Sequence, residues 1–335
     1  MKHKIAPLAA LAAVLAAGLL LSGCGSRMLT LVNVSYDPTR EFYAAYNEEF
    51  LRWYQPQCAE PLEVLPSHGG SGSQARSVIE GVDADVVTLA LAHDITLIEQ
   101  AGLIDPGWMD ELPENSAPYT STIVFLVRAG NPKHIADWDD LTAPGVEVIT
   151  PDPKSSGGAC WNFLAAWEYA LRRYDNDEAQ ARAFVSALYG NVLVMDSGAR
   201  GATTTFVENG QGDVLIAWEN EALVSLREYP GEFELVTPSV SIKAEPSVAV
   251  VDENVDYNGT REAAQAYLEH LYSDEAQRLA GQYGYRPTDP DILAEFSDTF
   301  DLNVQLCCID DFGGWDQAYA DFFADDAIFD QIYRG

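Results

Sequence analysis

Three short runs of small residues carry most of the chemistry in this chain: His68–Arg76 (HGGSGSQAR), Lys154–Asn162 (KSSGGACWN) and Ser197–Thr205 (SGARGATTT). Each is placed to open a helix. Glycine and serine let a backbone approach a ligand closely, and a helix start leaves amide N–H groups without intrahelical partners. Two or three such starts aimed at one point form an anion site made of neutral dipoles. One such run is usually a plain turn, so the weight lies in finding three in equivalent places.

The elements around them alternate. Leu29–Ser35 reads as an apolar strand, and Pro38–Tyr54 as an amphipathic helix with Phe42, Tyr46, Phe50 and Trp53 at helical spacing. Strand Leu62–Leu65 ends at the first small-residue run, helix Ser73–Glu80 follows, and Ala84–Leu91 is a buried strand. A long strand at Pro118–Arg128 leads into a second series. That series comprises strand Val146–Thr150, helices Asn162–Arg172 and Asp177–Tyr189, and strands Asn191–Met195, Asp213–Trp218 and Phe233–Val236. Val248–Val251 and helix Thr260–Leu271 read as a return to the first series, and Phe312–Tyr333 as a surface helix packed on a core. Repeated β-α-β units imply an α/β fold of parallel sheets covered by helices. Ligands in such sheets bind beyond the carboxyl ends of the strands, where all three runs fall.

The bulk composition narrows the partners. At 335 residues the chain has room for two cores. Nineteen basic against 52 acidic residues give a formal charge of −33, leaving no basic face for nucleic acid. Only five residues are lysine (Lys2, Lys4, Lys133, Lys154, Lys243). A surface this acidic and lysine-poor is expected of a halophilic protein, whose self-repulsion is screened by salt. The thermal midpoint should therefore rise steeply from dilute buffer to about 1 M salt, where screening acts within about 3 Å; full stability without salt would overturn that expectation.

Residues 1–23 read as a lipoprotein signal peptide: Lys2 and Lys4, an apolar run from Leu8 to Leu21, then Leu21-Ser22-Gly23-Cys24. Cleavage before Cys24 leaves a thiol for lipid attachment, anchoring an exported domain through the tether 24–28. Loss of Lys2 and Lys4 moves the charge from −33 to −35. Of the other cysteines (Cys58, Cys160, Cys307, Cys308), export makes a bridge from Cys58 to Cys307 or Cys308 the expectation. No CxxC pair marks a metal site, and no cofactor is expected.

The segments VSYDPTR (Val34–Arg40), SHGGSGSQAR, PYTSTIVFLVR, VITPDPKSSGGACWNFLAAW (Val148–Trp167), DSGARG (Asp196–Gly201) and GDVLIAWENEA (Gly212–Ala222) resemble the periplasmic sulfate- and thiosulfate-binding proteins of ABC importers. The resemblance runs from about residue 29 to the C-terminus, through FGGW at Phe312–Trp315. It implies a two-lobed, type II solute-binding fold: lobe I from 29–118 and 240–335, lobe II from 119–239, joined by a two-strand hinge. It also implies seven ligand contacts: the N–H of Asp37, the N–H and hydroxyl of Ser71, hydroxyl and N–H donors of Ser156, Gly157 and Gly158, the N–H of Ala199, and the indole N–H of Trp218. The side chain of Asp37 would cap the helix at Pro38-Thr39. Cys160 departs from the family's Arg and Ser73 from its frequent Lys, each removing a positive charge.

Such a shell suits sulfate. The dianion carries no proton near neutral pH and only accepts, whereas hydrogen phosphate brings an O–H needing an acceptor, and an unpaired buried polar group costs about 1–3 kcal/mol. The reading is therefore a monomeric receptor for sulfate serving an ABC permease; thiosulfate, molybdate or tungstate are the alternatives. An anion-hydrolysing enzyme is the reading supported least, because no His, metal cage or activated nucleophile accompanies Cys160.

Overall fold

The computed structural model describes residues 28–333. The signal peptide and Cys24 lie outside them. The chain runs β1 (Leu29–Tyr36), α1 (Arg40–Tyr54), β2 (Leu62–Gly69), α2 (Ser71–Ile79), β3 (Val86–Leu89) and α3 (Ala92–Gln100). It continues through β4 (Tyr119–Thr120), β5 (Ile123–Arg128), β6 (Val148–Pro151), α4 (Gly157–Arg173), α5 (Glu178–Gly190), β7 (Val192–Asp196) and α6 (Ala199–Thr203). Next come β8 (Val214–Trp218), α7 (Glu219–Glu228), β9 (Phe233–Val236), β10 (Val240–Ile242) and β11 (Ser247–Val250). Last are α8 (Arg261–His270), α9 (Asp274–Gln282), β12 (Arg286–Pro287), β13 (Gln305–Cys307) and short helical turns to Tyr333.

Two sheets organise these elements. The first has the order β11-β3-β1-β2, with β1 parallel to β2 and β3, and only β11 reversed. The second has the order β7-β6-β8-β5-β9, with β6 parallel to β7 and β8, and only β5 running against its neighbours. Mostly parallel sheets need helices on both faces, and the buried clusters follow that rule. Val34, Val87, Ala75, Val78, Ile95 and Ile98 pack one face of the first sheet under α2 and α3. Val124, Leu126, Leu215, Ala202 and Ala222 do the same beneath α6 and α7. A larger core fills the remaining faces, including the rings of Phe42, Tyr43, Tyr46, Phe50, Tyr119, Tyr267 and Tyr285. Their hydroxyls are satisfied internally: Tyr46 donates to the Tyr267 carbonyl at 2.5 Å, and Tyr267 to Asn47 Oδ1 at 2.7 Å.

The sheets are linked by two passages of chain. The strand expected over Pro118–Arg128 is divided into β4 and β5. Between them Ser121 and Ala244 exchange both backbone hydrogen bonds at 2.9 Å, pairing the outward passage with the return. The register of β1 against β2 sets Tyr36 beside Gly69, so two loops open side by side at the same sheet end. Likewise Pro151 at the end of β6 faces Asp196 at the end of β7.

Two expectations are corrected. The C-terminal stretch is no single helix. Gly313 and Gly314 adopt φ of +79° and +83°, and the chain makes short turns at Trp315–Ala318, Tyr319–Phe323 and Ile328–Tyr333. Its rings pack on α4, with Trp315 4.6 Å from Trp161, and Phe323 and Phe329 within 6 Å of Phe163. The Cys58 bridge is absent: all four described cysteines are free thiols. Cys58 lies beyond the end of α1 with its thiol directed at the carbonyls of Tyr54 and Gln55, whereas Cys307 is buried in the β10–β13 pair.

Candidate functional site

The carboxyl ends of the two sheets face a small cavity lined by Tyr36, Asp37, Pro38, Gly69, Gly70, Ser71, Ser156, Gly158 and Ala199. Asp37, Ser71, Ser156, Gly158 and Ala199 are among the expected contacts, and both sheets contribute. The empty space is about 210 Å³ including its mouth, room for one small group and not for an extended ligand.

Each contact sits at the start of a helical turn. Asp37 is the first residue of a 3₁₀ turn, Asp37–Thr39. Ser71 begins α2, whose first internal bond runs from the Gln74 N–H to Gly70 O at 2.9 Å. The N–H groups of Ser71, Gly72 and Ser73 thus precede the ladder. Ser156 is the N-cap of α4, and the first bond there joins the Ala159 N–H to Ser156 O at 3.0 Å, leaving Gly157 and Gly158 ahead of it. The Ser156 amide itself donates to Asp152 O at 2.9 Å, so its hydroxyl is what it offers. Ala199 begins α6, where Ala202 N–H reaches Gly198 O at 3.1 Å. None of these four starts has a side-chain cap. By contrast Asp177, Ser273 and Asp289 cap helices elsewhere. Uncapped amides from four turns converge on one point.

No Lys or Arg lines the cavity, and the nearby cations are engaged. Arg200 is ion-paired with Glu41 on α1. Lys154 lies 3.1 Å from Asp330. Arg40 lies 3.6 Å from Asp37 Oδ1. Burial raises the Asp37 carboxyl above its usual range, with Arg40 and Arg200 opposing. The expected capping role of Asp37 is not found, because the turn begins one residue earlier, with Tyr36 as its N-cap. The Asp37 carboxylate instead approaches Gly198.

Two expected contacts are spent inside the protein. The Trp218 indole N–H donates to Gly158 O at 3.0 Å. The Ser71 hydroxyl donates to Asp94 Oδ2 at 2.5 Å and accepts from the Ala90 N–H at 3.0 Å. Ser71 therefore faces the cavity with its amide. Gly157 lies behind the lining, where an added Cβ would come within 2.8 Å of Leu91 Cγ and 3.0 Å of Ser71 Cβ. It is the residue that lets the start of α4 close on the start of α2. The structure also brings in Tyr36, Gly69, Gly70 and Asp94, none of them among the seven expected contacts, although Gly69 and Gly70 fall within the first small-residue run. For Asp94 the only signal was a carboxylate just after the buried strand that ends at Leu91.

The two departures resolve simply. Cys160 is buried in the first turn of α4 with Sγ 3.4 Å from Pro153 O. Burial first, then Asp94 and Asp152, raise its thiol far above the usual range, so it is no nucleophile. Ser73 accepts from Arg76 Nη2 at 3.1 Å on the exposed side of α2. His68 lies beside Thr39, and burial with Arg40 lowers it to about 4, which keeps it neutral. Among the described residues no cluster of His, Cys, Asp and Glu could hold a metal ion. Nor is any described helix long and apolar enough to cross a membrane.

Two helix-covered sheets, joined by paired passages and presenting free amides to one enclosed point, define a two-lobed solute-binding protein of type II fold. The chain belongs to the bacterial extracellular solute-binding protein family, whose pattern matches residues 34–286. Within it, the chain is 57% identical over 308 residues to the sulfate-binding protein of Escherichia coli K12, covering 91% of this chain and 93% of that one. It is 47% identical over 324 residues to the thiosulfate-binding protein of Pseudomonas aeruginosa, covering 96% and 97%. Among solved structures, the sulfate-binding protein SubI of Mycobacterium tuberculosis H37Rv matches with a TM-score of 0.80 at 36% identity, covering 88% of this chain and 99% of that one.

Proposed function

We propose that the protein captures sulfate outside the cytoplasm and presents it to an ABC importer. The observation carrying this reading is the convergence of four uncapped helical starts on a cavity lined by no Lys or Arg. Hydrogen bonds to a charged group contribute about 1.5–3 kcal/mol each, and a micromolar dissociation constant needs about 8 kcal/mol net. Four or five amides with the Ser156 hydroxyl meet that after the costs of desolvation and closure are offset. Neutral donors also explain how so acidic a protein binds an anion: contact dipoles act within a few ångströms, while salt screens the distant carboxylates.

The ligand set we assign is Asp37, Ser71, Ser156, Gly157, Gly158, Ala199 and Trp218, with Trp218 reaching the anion on exchanging its bond to Gly158 O. The two lobes follow the two sheets, 29–118 with the return from 240, and 119–239, with the aromatic C-terminal turns lying on α4. Cys24 is the lipid attachment site, and the receptor acts as a monomer. It is not an enzyme. Thiosulfate is the second reading, supported by the 47% identity to a receptor of that name.

Calorimetric titration of residues 25–335 with sulfate, thiosulfate, molybdate and phosphate tests the assignment. Sulfate should bind and phosphate should not, since no donor-only shell accepts its proton. Equal binding of phosphate overturns the reading. Asp37 supplies a second check. If only its backbone N–H is used, Asp37→Asn should change sulfate affinity by less than about threefold, under 1 kcal/mol, with phosphate still excluded; a gain of phosphate binding would show the carboxylate in contact.

A further inference from the structure

Lys154 stands two residues before Ser156 in the loop after β6, and that loop is wound on one residue. The Lys154 amide donates to Asp152 Oδ1 at 2.8 Å, and the Ser155 and Ser156 amides donate to Asp152 O at 3.1 and 2.9 Å. Three successive amides on one anchor tie 152–156 into a unit that ends at the start of α4. Where the Lys154 side chain is held, the Ser156 hydroxyl and the Gly157 and Gly158 amides are held with it.

The grip on that side chain comes from chain 170 residues away. An ammonium carries three hydrogens. Here its partners are Phe323 O at 2.9 Å, Ala324 O at 3.1 Å and Asp330 Oδ1 at 3.1 Å. The exposed Asp325 carboxylate lies further off, at 3.6 Å. All four acceptors belong to the C-terminal turns. Tyr319–Phe323 is a π-helical turn, closed by the Ala324 N–H on Tyr319 O at 2.8 Å. Lys154 bonds the carbonyls at its end, as lysines do at helix C-termini.

The same turn is seated on both lobes. Phe322 and Phe323 pack on Phe163, and Phe322 on Trp167, all within 6 Å along α4. At the other end of the turn Tyr319 stacks on His93 of α3 at 4.0 Å. His93 precedes the Asp94 that bonds Ser71. One five-residue turn thus holds the anion loop of the second sheet at its last residue and the start of α3 at its first.

We propose that Lys154 is a positioning residue for the sulfate site. Anchored in the C-terminal turns, it holds residues 152–158 in binding geometry from outside the cavity, whose lining it does not join. Its charge is spent on Asp330 and two carbonyls, so it acts by bracing the loop and not by attracting the anion. The inference deepens the sulfate reading and rests on it. Coupling is reciprocal: a loop that binds sulfate better when braced holds the brace more firmly once sulfate is bound.

Residues 25–335 serve for the test. Calorimetric titration of Lys154→Met with sodium sulfate should give an affinity about tenfold below the parent. The gap should be the same at about 0.1 M and about 1 M NaCl, although screening tightens from about 10 Å to about 3 Å. Lys154→Met also removes the cation beside the buried Asp330 carboxylate, a separate cost to stability. The double variant Lys154→Met with Asp330→Asn should therefore recover much of the thermal midpoint while its sulfate affinity stays low. In the parent protein, sulfate should slow hydrogen exchange at 155–158 and also at 319–324; this arm stands even where neither variant folds. Unchanged affinity in Lys154→Met, or affinity restored in the double variant, overturns the inference and leaves sulfate binding standing. A loss that disappears in salt does the same, as does exchange at 319–324 that ignores sulfate. Absence of sulfate binding by the folded parent overturns both.

Discussion

Gly70→Ala should lower sulfate affinity by about two orders of magnitude or more, some 3 kcal/mol, while the protein still folds. A Cβ at this position would lie 2.7 Å from the Ser155 carbonyl oxygen and 3.5 Å from the Ser197 carbonyl oxygen. The obstruction is backbone on the other side of the cavity, so no side-chain rotation relieves it. Gly70 follows β2 of the first sheet, whereas Ser155 and Ser197 belong to the loops after β6 and β7 of the second. An added methyl therefore holds the two sheet ends apart without touching either core. Separated lobes present their amides to an anion one side at a time, and the contacts that depend on both are lost. The measurement is sulfate titration alongside a thermal melt. Unchanged affinity would show that the cavity forms without this close approach; a large fall in midpoint would show damage to the fold instead.

Glu219→Gln should have the larger effect on stability. Arg286 donates to both Glu219 carboxylate oxygens, from Nε at 2.6 Å and Nη2 at 2.9 Å, and to Asp301 O at 3.0 Å. The two side chains are 5% and 2% exposed. Breaking one partner of such a pair strands a buried charge and costs about 3–5 kcal/mol, which lowers the midpoint of a protein this size by about 10 °C. The place matters as well. Glu219 opens α7 directly after Trp218, and Arg286 lies in β12, which pairs with β4 at the passage between the sheets. Replacing both residues by methionine should recover much of the loss, because matched apolar side chains avoid the desolvation penalty of the pair. A shift under about 2 °C in the single variant would show the pair contributes little.

The two effects separate the roles of the same region. Gly70 governs approach across the cavity and leaves packing alone; the Glu219–Arg286 pair governs packing, and neither of its residues lines the cavity. A receptor that opens and closes needs both: rigid lobes and a passage tied to them. The Ser121–Ala244 pairing ties the outward and return chains where motion would be centred.

Much of this was legible in the residue order. Small-residue runs before apolar helical patterns mark turns whose amides are free, because glycine and serine offer no bulk and the ladder begins four residues later. The alternation of apolar strands and amphipathic helices marks the class, and the resemblance of long segments to a known family marks the positions of the expected ligand contacts. Local chemistry was enough for these. β9 spans the Phe233–Val236 bounds that its sequence marks, and most strands lie within a few positions of theirs, since burial pattern and turn residues act over short stretches.

Other features depended on distant chain. The Ser71 hydroxyl is engaged by Asp94, 23 residues on, and by the Ala90 N–H just past the intervening strand. Trp218 is bonded by Gly158, 60 residues away. The cap expected of Asp37 failed because Tyr36 ends a strand in register with Gly69, so the turn starts a residue early. The Cys58 bridge failed because thiols pair by position in space, and the fold leaves Cys58 against the carbonyls at the end of α1 while Cys307 is held in the β10–β13 pair. Residue types determined the supply of neutral donors and their placement before helices; only the tertiary structure decided which are free, since a hydrogen bond is directional, short and satisfied by whichever group the packing brings within reach.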